Sequence, residues 1–247
     1  TAFDNETVLV QFGDNDSATD AIDIAINVFV DGSDTSAGTT GIGGGSNDAE
    51  VQAIVAVDLT GSVGDDTLTT GAQADTISGG AGDDTITGAG LGDVLDGGAG
   101  NDVYNIDSAA HSAAVSSSQT TLAGIDIITI GTGDTIDLAG ISGTKIVDAT
   151  NDDVISVTLG TDGGAENDFA DFVAAIESAI TGVVQEVSIV KVNDLSTDSS
   201  FDGDYDGYYL VVNDATGAIN SSDTFIKLLG VTDATEISVA SQIVSFG

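Results

Sequence analysis

Aspartates recur in this chain at a fixed interval of nine residues, and five of them fall in phase: Asp66, Asp75, Asp84, Asp93 and Asp102. An apolar or aromatic residue follows each of them two positions later, in the order Leu68, Ile77, Ile86, Leu95 and Tyr104. Glycines precede them, most completely in GGAGDDTIT (79–87) and GGAGNDVYN (97–105). The nonapeptide G-G-x-G-x-D-x-U-x, in which U is apolar, predicts a parallel β-roll built from short turns and short strands.

The residue types in this repeat are those that bind calcium. Calcium takes about six to eight oxygen ligands from carboxylates and main-chain carbonyls. Glycine tolerates positive φ, so Gly-rich turns can direct carbonyls inward while one Asp per turn adds charge. The candidate metal ligands are the five aspartates together with Gly80, Gly82, Gly98 and Gly100. A Gly- and Asp-rich solenoid that holds no metal is the alternative.

The repeats resemble those of the RTX (repeats-in-toxin) family over residues 61–105, which is less than a fifth of the chain. The resemblance implies that two nonapeptides form one turn of a β-roll and that aspartates two nonapeptides apart share a calcium ion. It makes Asp84 with Asp102 the best site, because their two repeats keep every glycine. Asp66 with Asp84 comes next, since Ser62 stands at the second position of the first repeat.

The pair Asp75 and Asp93 departs from the family pattern. Gln73 and Leu91 stand in these two repeats where the fourth-position glycine is expected. We therefore expect this edge of the roll to bind calcium weakly or not at all.

A second calcium candidate is the segment DGDYDG (202–207). Asp202, Asp204 and Asp206 match the first half of the calcium-loop pattern D-x-[DN]-x-[DN]-G. The twelfth position is Asn213 rather than Glu, and strand-like residues follow instead of a helix, which argues against an EF-hand. A solvated turn is the alternative for this segment.

The charge of the chain is extreme, with 41 acidic and three basic residues and a net charge of −38. Self-repulsion of this size opposes compaction, so bound or condensed cations must offset part of it. An acidic surface adapted to seawater or high salt is the alternative, but it does not explain the nine-residue spacing. Nucleic acid and anionic membranes are poor partners, because their phosphates would be repelled.

Two absences in the sequence narrow the function further. Cysteine is absent, which excludes disulfides and thiol redox chemistry. No uninterrupted apolar run of about 18 residues occurs, so we expect no membrane insertion.

We predict a mainly β protein: a right-handed parallel β-roll or solenoid with a β-rich N-terminal portion and a C-terminal β cap that carries one helix. The predicted regions are 1–60, 61–160 and 161–247. The N-terminal region is expected to form strands at Thr7–Phe12, Asp23–Val30 and Glu50–Thr60 around a Gly/Ser/Thr-rich loop at 31–48. Residues 125–141 should add further rungs to the roll, whereas 111–121 should leave the stack.

The predicted helix spans about 168–181. Five apolar residues fall on one face at helical spacing: Phe169, Phe172, Val173, Ile176 and Ile180. Strand-like segments follow at Val183–Val192, Tyr208–Asn213, Phe225–Leu229 and Glu236–Phe246. We assign these segments to a cap, because solenoids need atypical ends that cover the last rung.

Catalytic motifs are not evident in the sequence. His111 is the single histidine and lies in a Ser/Ala-rich segment, and the patterns H-E-x-x-H, G-x-S-x-G and Walker A do not occur. We therefore predict that the protein is not an enzyme. Acidic pairs are abundant, so carboxylate chemistry of the glycosidase type is the third and weakest hypothesis.

The leading hypothesis is a secreted, calcium-binding structural protein that assembles with its own copies into a surface layer or an extracellular filament. Its expected location is extracellular or at the cell surface, and its expected partners are several calcium ions, further copies of itself and cell-surface polysaccharide. The RTX resemblance implies type I secretion through a signal in the C-terminal region. The alternative is a C-terminal calcium-binding and secretion module of a larger RTX adhesin or toxin. The lack of Met indicates a processed product or a fragment.

Overall fold

A computed structural model describes twelve stretches of the chain: 26–29, 38–41, 56–90, 92–107, 124–141, 155–159, 169–180, 187–194, 205–212, 223–233, 237–240 and 242–247. Within them lie sixteen strands and one helix. The first ten strands are β1 (Ile26–Phe29), β2 (Gly38–Gly41), β3 (Val57–Thr60), β4 (Asp66–Thr69), β5 (Thr76–Ala81), β6 (Thr85–Thr87), β7 (Val94–Ala99), β8 (Val103–Asn105), β9 (Asp126–Thr129) and β10 (Thr135–Asp137). The remaining elements are β11 (Ile155–Leu159), α1 (Phe169–Ile180), β12 (Val187–Asp194), β13 (Gly207–Val212), β14 (Thr224–Leu229), β15 (Ile237–Ala240) and β16 (Ile243–Phe246).

Successive nonapeptides send their strands to opposite sheets. The first sheet has the order β1-β3-β5-β7-β9-β14-β13-β12-β11, and the second has the order β15-β16-β10-β8-β6-β4-β2. Parallel partners within the repeats lie two nonapeptides apart, as in Thr76 with Val94 and Thr67 with Thr85. Two nonapeptides therefore complete one turn, and the prediction of a mainly β roll of parallel strands is confirmed.

The core of the roll is built from the apolar residue of each repeat. Strand side chains alternate between the two faces, so the eighth position of each nonapeptide points between the sheets. Leu68, Ile77, Ile86, Leu95 and Tyr104 are all buried there. One hydrophobic cluster joins them to Ile128 and Ile136 of the later rungs and to residues of the cap.

The stack continues beyond the last regular repeat. Strand β9 pairs with β7 and strand β10 pairs with β8, both in parallel, although the chain between the partners is now longer than two nonapeptides. The predicted rungs within 125–141 are therefore present. The excursion predicted at 111–121 lies outside the described residues.

The C-terminal strands extend both sheets of the roll. Strand β14 pairs in parallel with β9, and strand β16 pairs antiparallel with β10. Both sheets thus continue from the strands of the roll into the strands of the C-terminal cap. The division at residues 60 and 160 remains a prediction.

The single described helix, α1, begins one residue after and ends one residue before the predicted bounds of 168 and 181. Its residues Phe172, Val173, Ile176 and Ile180 are buried, and the helix packs against β11. Phe172 also stacks on Tyr205, with ring centroids 4.9 Å apart. This second hydrophobic cluster lies on the side of the sheet opposite the roll.

One part of the sequence-based description was wrong: strand β2 lies within the segment predicted as a loop at 31–48 and pairs in parallel with β4. The strand-like segment at Glu236–Phe246 contains two antiparallel strands, β15 and β16. Gln242, with a φ of 69°, provides the tight reversal between them. The strand predicted at Thr7–Phe12 lies outside the described residues.

Candidate metal centre

The repeat aspartates enter the roll at the point where each turn becomes a strand. Asp66 is the first residue of β4, whereas Asp75, Asp84, Asp93 and Asp102 directly precede β5 to β8. All five are buried, and three of them have no exposed surface. Each lies on the same side of its strand as the core residue two positions later, so the carboxylates form a layer next to the hydrophobic core.

The carboxylates stack into two ladders, one along each edge of the roll. Asp66, Asp84, Asp102 and Asp134 form the first-edge ladder, and Asp75, Asp93 and Asp126 form the second-edge ladder. In each ladder the main-chain N–H of one aspartate donates to Oδ1 of the next. The N···O distances are 2.8, 2.8 and 3.0 Å along the first edge, and 2.8 and 2.9 Å along the second.

The second carboxylate oxygens, Oδ2, fall into two groups. In three aspartates Oδ2 accepts an N–H of its own turn: Ser62 to Asp66 at 2.6 Å, Gly71 to Asp75 at 3.2 Å and Gly131 to Asp134 at 2.7 Å. In Asp84, Asp102 and Asp126 the Oδ2 atom is buried and has no hydrogen-bond partner among the described residues. A buried anionic oxygen without a partner is costly unless a cation or a proton reaches it.

The first glycine of a repeat is required by the aspartate five positions later. A Cβ atom on Gly79, Gly88 or Gly97 would overlap the carboxylate of the repeat to which that glycine belongs. The carboxylate thus folds back over the main chain at the start of its own turn. This contact holds Oδ2 next to the main chain of the turn, where oxygen ligands for a metal would come from.

The turns of the first edge have the backbone that the sequence predicted. Gly80, Gly82, Gly98 and Gly100 have φ values of 110°, 118°, 95° and 152°. Residues with side chains rarely adopt these values, so the glycines are needed for the shape of the turn. Whether their carbonyls bind calcium remains a prediction.

The second edge has a different turn but the same carboxylate ladder. Gln73 replaces the fourth-position glycine there, and Leu91 lies outside the described residues. Among the described residues of the turn before Asp93, the positive φ is that of Gly92, at the fifth position, with a value of 55°. The departure from the repeat pattern therefore changes the turn without breaking the stacking of the aspartates. The weaker binding expected on this edge remains a prediction.

Burial makes four of the ladder carboxylates harder to ionise. Desolvation raises the pKa of Asp84 to about 6 and that of Asp126 to about 8, and neighbouring carboxylates add to both effects. The pKa values of Asp102 and Asp134 are also raised, chiefly by burial. Without a metal, the ladders therefore hold carboxylates that favour protonation.

The lysines that the structure describes belong to the cap. Lys191 lies over the ring of Tyr208 at 5.4 Å, and Lys227 lies over the ring of Tyr209 at 5.8 Å. Both described lysines thus contact tyrosine rings of the cap. A divalent metal ion would supply positive charge at the ladders.

The donor set of the ladders suits calcium rather than zinc or copper. The ladders present carboxylate oxygens, which hard cations prefer, and the turns beside them could add main-chain carbonyls. Among the residues that the structure describes, no three acidic, histidine or cysteine side chains lie close enough together to hold a metal by themselves. An ion in this roll would therefore take carbonyls from two stacked turns as well as aspartates.

The remaining predicted site residues are not brought to the ladders. Asp202 and Asp204 lie outside the described residues, and Asp206 is exposed beside the buried Tyr205. Sequence reasoning missed Asp126 and Asp134 as site residues, because an irregular interval separates them from the repeats. Their signal was a glycine shortly before each aspartate and an isoleucine two positions after it, Ile128 and Ile136.

Comparison with protein families decides the nature of the repeats. The family of the RTX calcium-binding nonapeptide repeat matches residues 60–95 and 92–105, in four copies. Residues 60–105 are RTX calcium-binding repeats. The predicted resemblance is thus confirmed for this part of the chain.

Similarity to known proteins over the whole chain is weaker than it is over the repeats. No curated protein matches it. A similar solved structure is the solution structure of the AlgE6R3 subunit of the Azotobacter vinelandii mannuronan C5-epimerase, with 17% identity and a TM-score of 0.38. The match covers 70% of this chain and 71% of the other. Over the described part of the chain, no helix has the length and hydropathy needed to cross a membrane.

Proposed function

We propose that the chain is a secreted structural protein whose RTX repeats bind several calcium ions and fold only when calcium is present. In this proposal, calcium-loaded copies of the chain assemble into a surface layer or an extracellular filament. The role is non-enzymatic. Polysaccharide of the cell surface is the proposed anchor of such a layer.

The observation that carries the calcium-gated part of the proposal is the pair of buried carboxylate ladders. Asp84, Asp102 and Asp126 each have a buried oxygen with no hydrogen-bond partner among the described residues. Folding without a cation must therefore either desolvate these charges or protonate them. Because a ligand that binds only the folded state stabilises it, calcium would shift the equilibrium towards the roll.

Secretion fits the same chemistry. A chain that folds only with calcium stays unfolded where free calcium is low, and an unfolded chain can be threaded through an export channel. Outside the cell, calcium would then drive folding. We propose type I export with a signal in the C-terminal region, and deletion of residues 190–247 should abolish secretion.

The proposed assembly rests on the charge of the chain and on the ends of its sheets. A net charge of −38 would keep copies apart, and bound calcium would reduce that repulsion. Among the described strands, β1 and β2 end the two sheets at the same end of the roll. Such edge strands can pair with strands of another copy.

The second candidate function uses the same end of the roll differently. Strands β1 and β2 would then continue into an upstream domain, and the chain would be the calcium-binding and secretion module of a larger RTX adhesin or toxin. The parallel pairing of β1 with β3 and of β2 with β4 favours neither case, because both need an open end.

Electron microscopy with analytical ultracentrifugation, with and without millimolar calcium, tests the proposal. Ordered sheets or fibres that form with calcium and dissolve with a chelator are the expected result. A folded monomer at all calcium and protein concentrations would refute assembly and favour the module. Magnesium at the same ionic strength is the control, since general charge screening would be the same for both ions.

A further inference from the structure

The first residue of β9, Asp126, joins the second-edge ladder although it lies outside the regular repeats. The segment TLAGIDIIT (121–129) keeps glycine at the fourth position, aspartate at the sixth and an apolar residue at the eighth, but it lacks the first two glycines. It starts at Thr121, whereas the last regular repeat starts at Gly97, so the regular interval is broken. The nonapeptide pattern alone therefore assigns no site to it.

The structure places Asp126 as a ladder member in spite of this interval. The N–H of Asp93 donates to Oδ1 of Asp126 at 2.9 Å, and the N–H of Ile127 donates to the carbonyl oxygen of Asp93 at 2.7 Å. These two bonds lock together segments that are 33 residues apart. Ile128 is fully buried in the core, as the corresponding residue of a regular repeat is.

The turns before these two aspartates are also in contact. Gly124 has a φ of 88°, in the positive range adopted by Gly82 and Gly100 in the regular repeats. A Cβ atom on Gly92 would come within 2.6 Å of the Cα of Gly124, so the two turns approach as closely as glycines allow. Main-chain oxygens of two turns can therefore converge beside the carboxylates.

The surroundings of the Asp126 side chain indicate that it binds a ligand. It has no exposed surface, and its Oδ2 atom has no hydrogen-bond partner among the described residues. The neighbouring charge that acts on it comes from Asp93, another carboxylate. Two buried carboxylates side by side need a cation or a proton, and calcium is the cation that takes carboxylate and main-chain oxygens together.

We propose that Asp126 and Asp93 bind a calcium ion between the two turns that end at these aspartates. This site joins two parts of the chain that are 33 residues apart and fixes the start of β9 against the roll. It rests on the proposed binding of calcium by the RTX repeats. It adds a site beyond the last residue of those repeats.

The test counts calcium ions by native mass spectrometry and equilibrium dialysis for the unaltered chain, Asp126→Asn and Asp58→Asn. Asn keeps an oxygen that can accept the N–H of Asp93 but removes the charge. Asp58 is exposed on β3, so Asp58→Asn is the control for loss of one charge from the roll. We expect Asp126→Asn to bind one ion fewer and Asp58→Asn to bind the full number.

The outcomes separate this inference from the proposed function. An unaltered chain that binds no calcium refutes the proposed function itself. Equal calcium counts for all three proteins refute only the site at Asp126.

A readout on the unaltered chain covers the case in which Asp126→Asn does not fold. A crystal structure of the calcium-loaded, unaltered chain should show the anomalous scattering of a calcium ion about 2.3–2.6 Å from an oxygen of Asp126. Calcium bound at the regular repeats with no ion beside Asp126 would overturn the inference.

Discussion

The hydroxyl of Tyr104 bridges a gap in the main-chain hydrogen bonding of the first sheet. In the first repeat, the N–H of Gly61 donates directly to the carbonyl of Ser78 at 2.7 Å. The equivalent pair at the start of the last regular repeat is Gly97 with Thr129, because Asp96 is opposite Thr129 as Thr60 is opposite Ser78. There the Tyr104 hydroxyl lies between the two groups. It accepts from the N–H of Gly97 and donates to the carbonyl of Thr129, both at 2.7 Å.

We predict that Tyr104→Phe destabilises the calcium-loaded roll by about 2–6 kcal/mol, since two backbone groups lose their partner and each such buried group costs about 1–3 kcal/mol. The ring itself stays, so the packing of the core changes little. The measurement is urea unfolding followed by far-ultraviolet circular dichroism at saturating calcium.

Tyr209→Phe is the matched control for this prediction. The Tyr209 hydroxyl is equally buried and donates to the carbonyl of Tyr205 at 3.0 Å. Its loss leaves one backbone oxygen rather than an N–H and an oxygen, so the cost should be about 1 kcal/mol. A Tyr104→Phe variant within about 0.5 kcal/mol of the unaltered protein, or no worse than Tyr209→Phe, would refute the reasoning.

Three further predictions concern the turns and the carboxylates. Gly97→Ala should lower the free energy of unfolding by about 2 kcal/mol or more, because the new Cβ atom would overlap the Asp102 carboxylate. Gly131→Ala is the control in the same urea assay. Its Cβ atom would have its nearest neighbour at 3.4 Å, so the loss of stability should be far smaller. Asp84→Asn should weaken calcium binding in calorimetry at least about tenfold, a loss of about 1.4 kcal/mol, while Asp58→Asn leaves it unchanged. With calcium removed by a chelator, the roll should be most stable below about pH 4. It should become progressively less stable as the pH rises through the raised pKa values of Asp84 and Asp126, which are about 6 and about 8. Circular dichroism that shows the chelated protein more stable at pH 8 than at pH 5 would contradict this sign.

The regular part of the roll follows from the sequence because one period sets both its turns and its core. The spacing of Asp66 to Asp102 places an apolar residue in the core at every repeat, and a side-chain period of two fixes which face it occupies. The helix also follows from the sequence, because Phe172 and Ile176 fall on one face of a helix with a period of about 3.6 residues.

Features that depend on backbone pairing rather than on side chains were missed. Strand β2 has the sequence GTTG, which has no apolar pattern, and it pairs through its main chain with β4. The roles of Asp126 and Asp134 were hidden because the nine-residue interval is broken before them. Tyr104 was noted at the apolar position of the last repeat, but the position of its hydroxyl depends on where β9 stacks, which no local pattern specifies.

The central claim is that calcium neutralises the carboxylate ladders and thereby folds the RTX roll. The most direct test is a calcium titration of the chelated protein at about pH 7.5, with circular dichroism and calorimetry on the same sample. The account predicts that β structure appears cooperatively as several calcium ions bind, that chelator reverses it, and that magnesium does not replace calcium. A chelated protein with full β structure, unchanged when calcium is added, would contradict the claim.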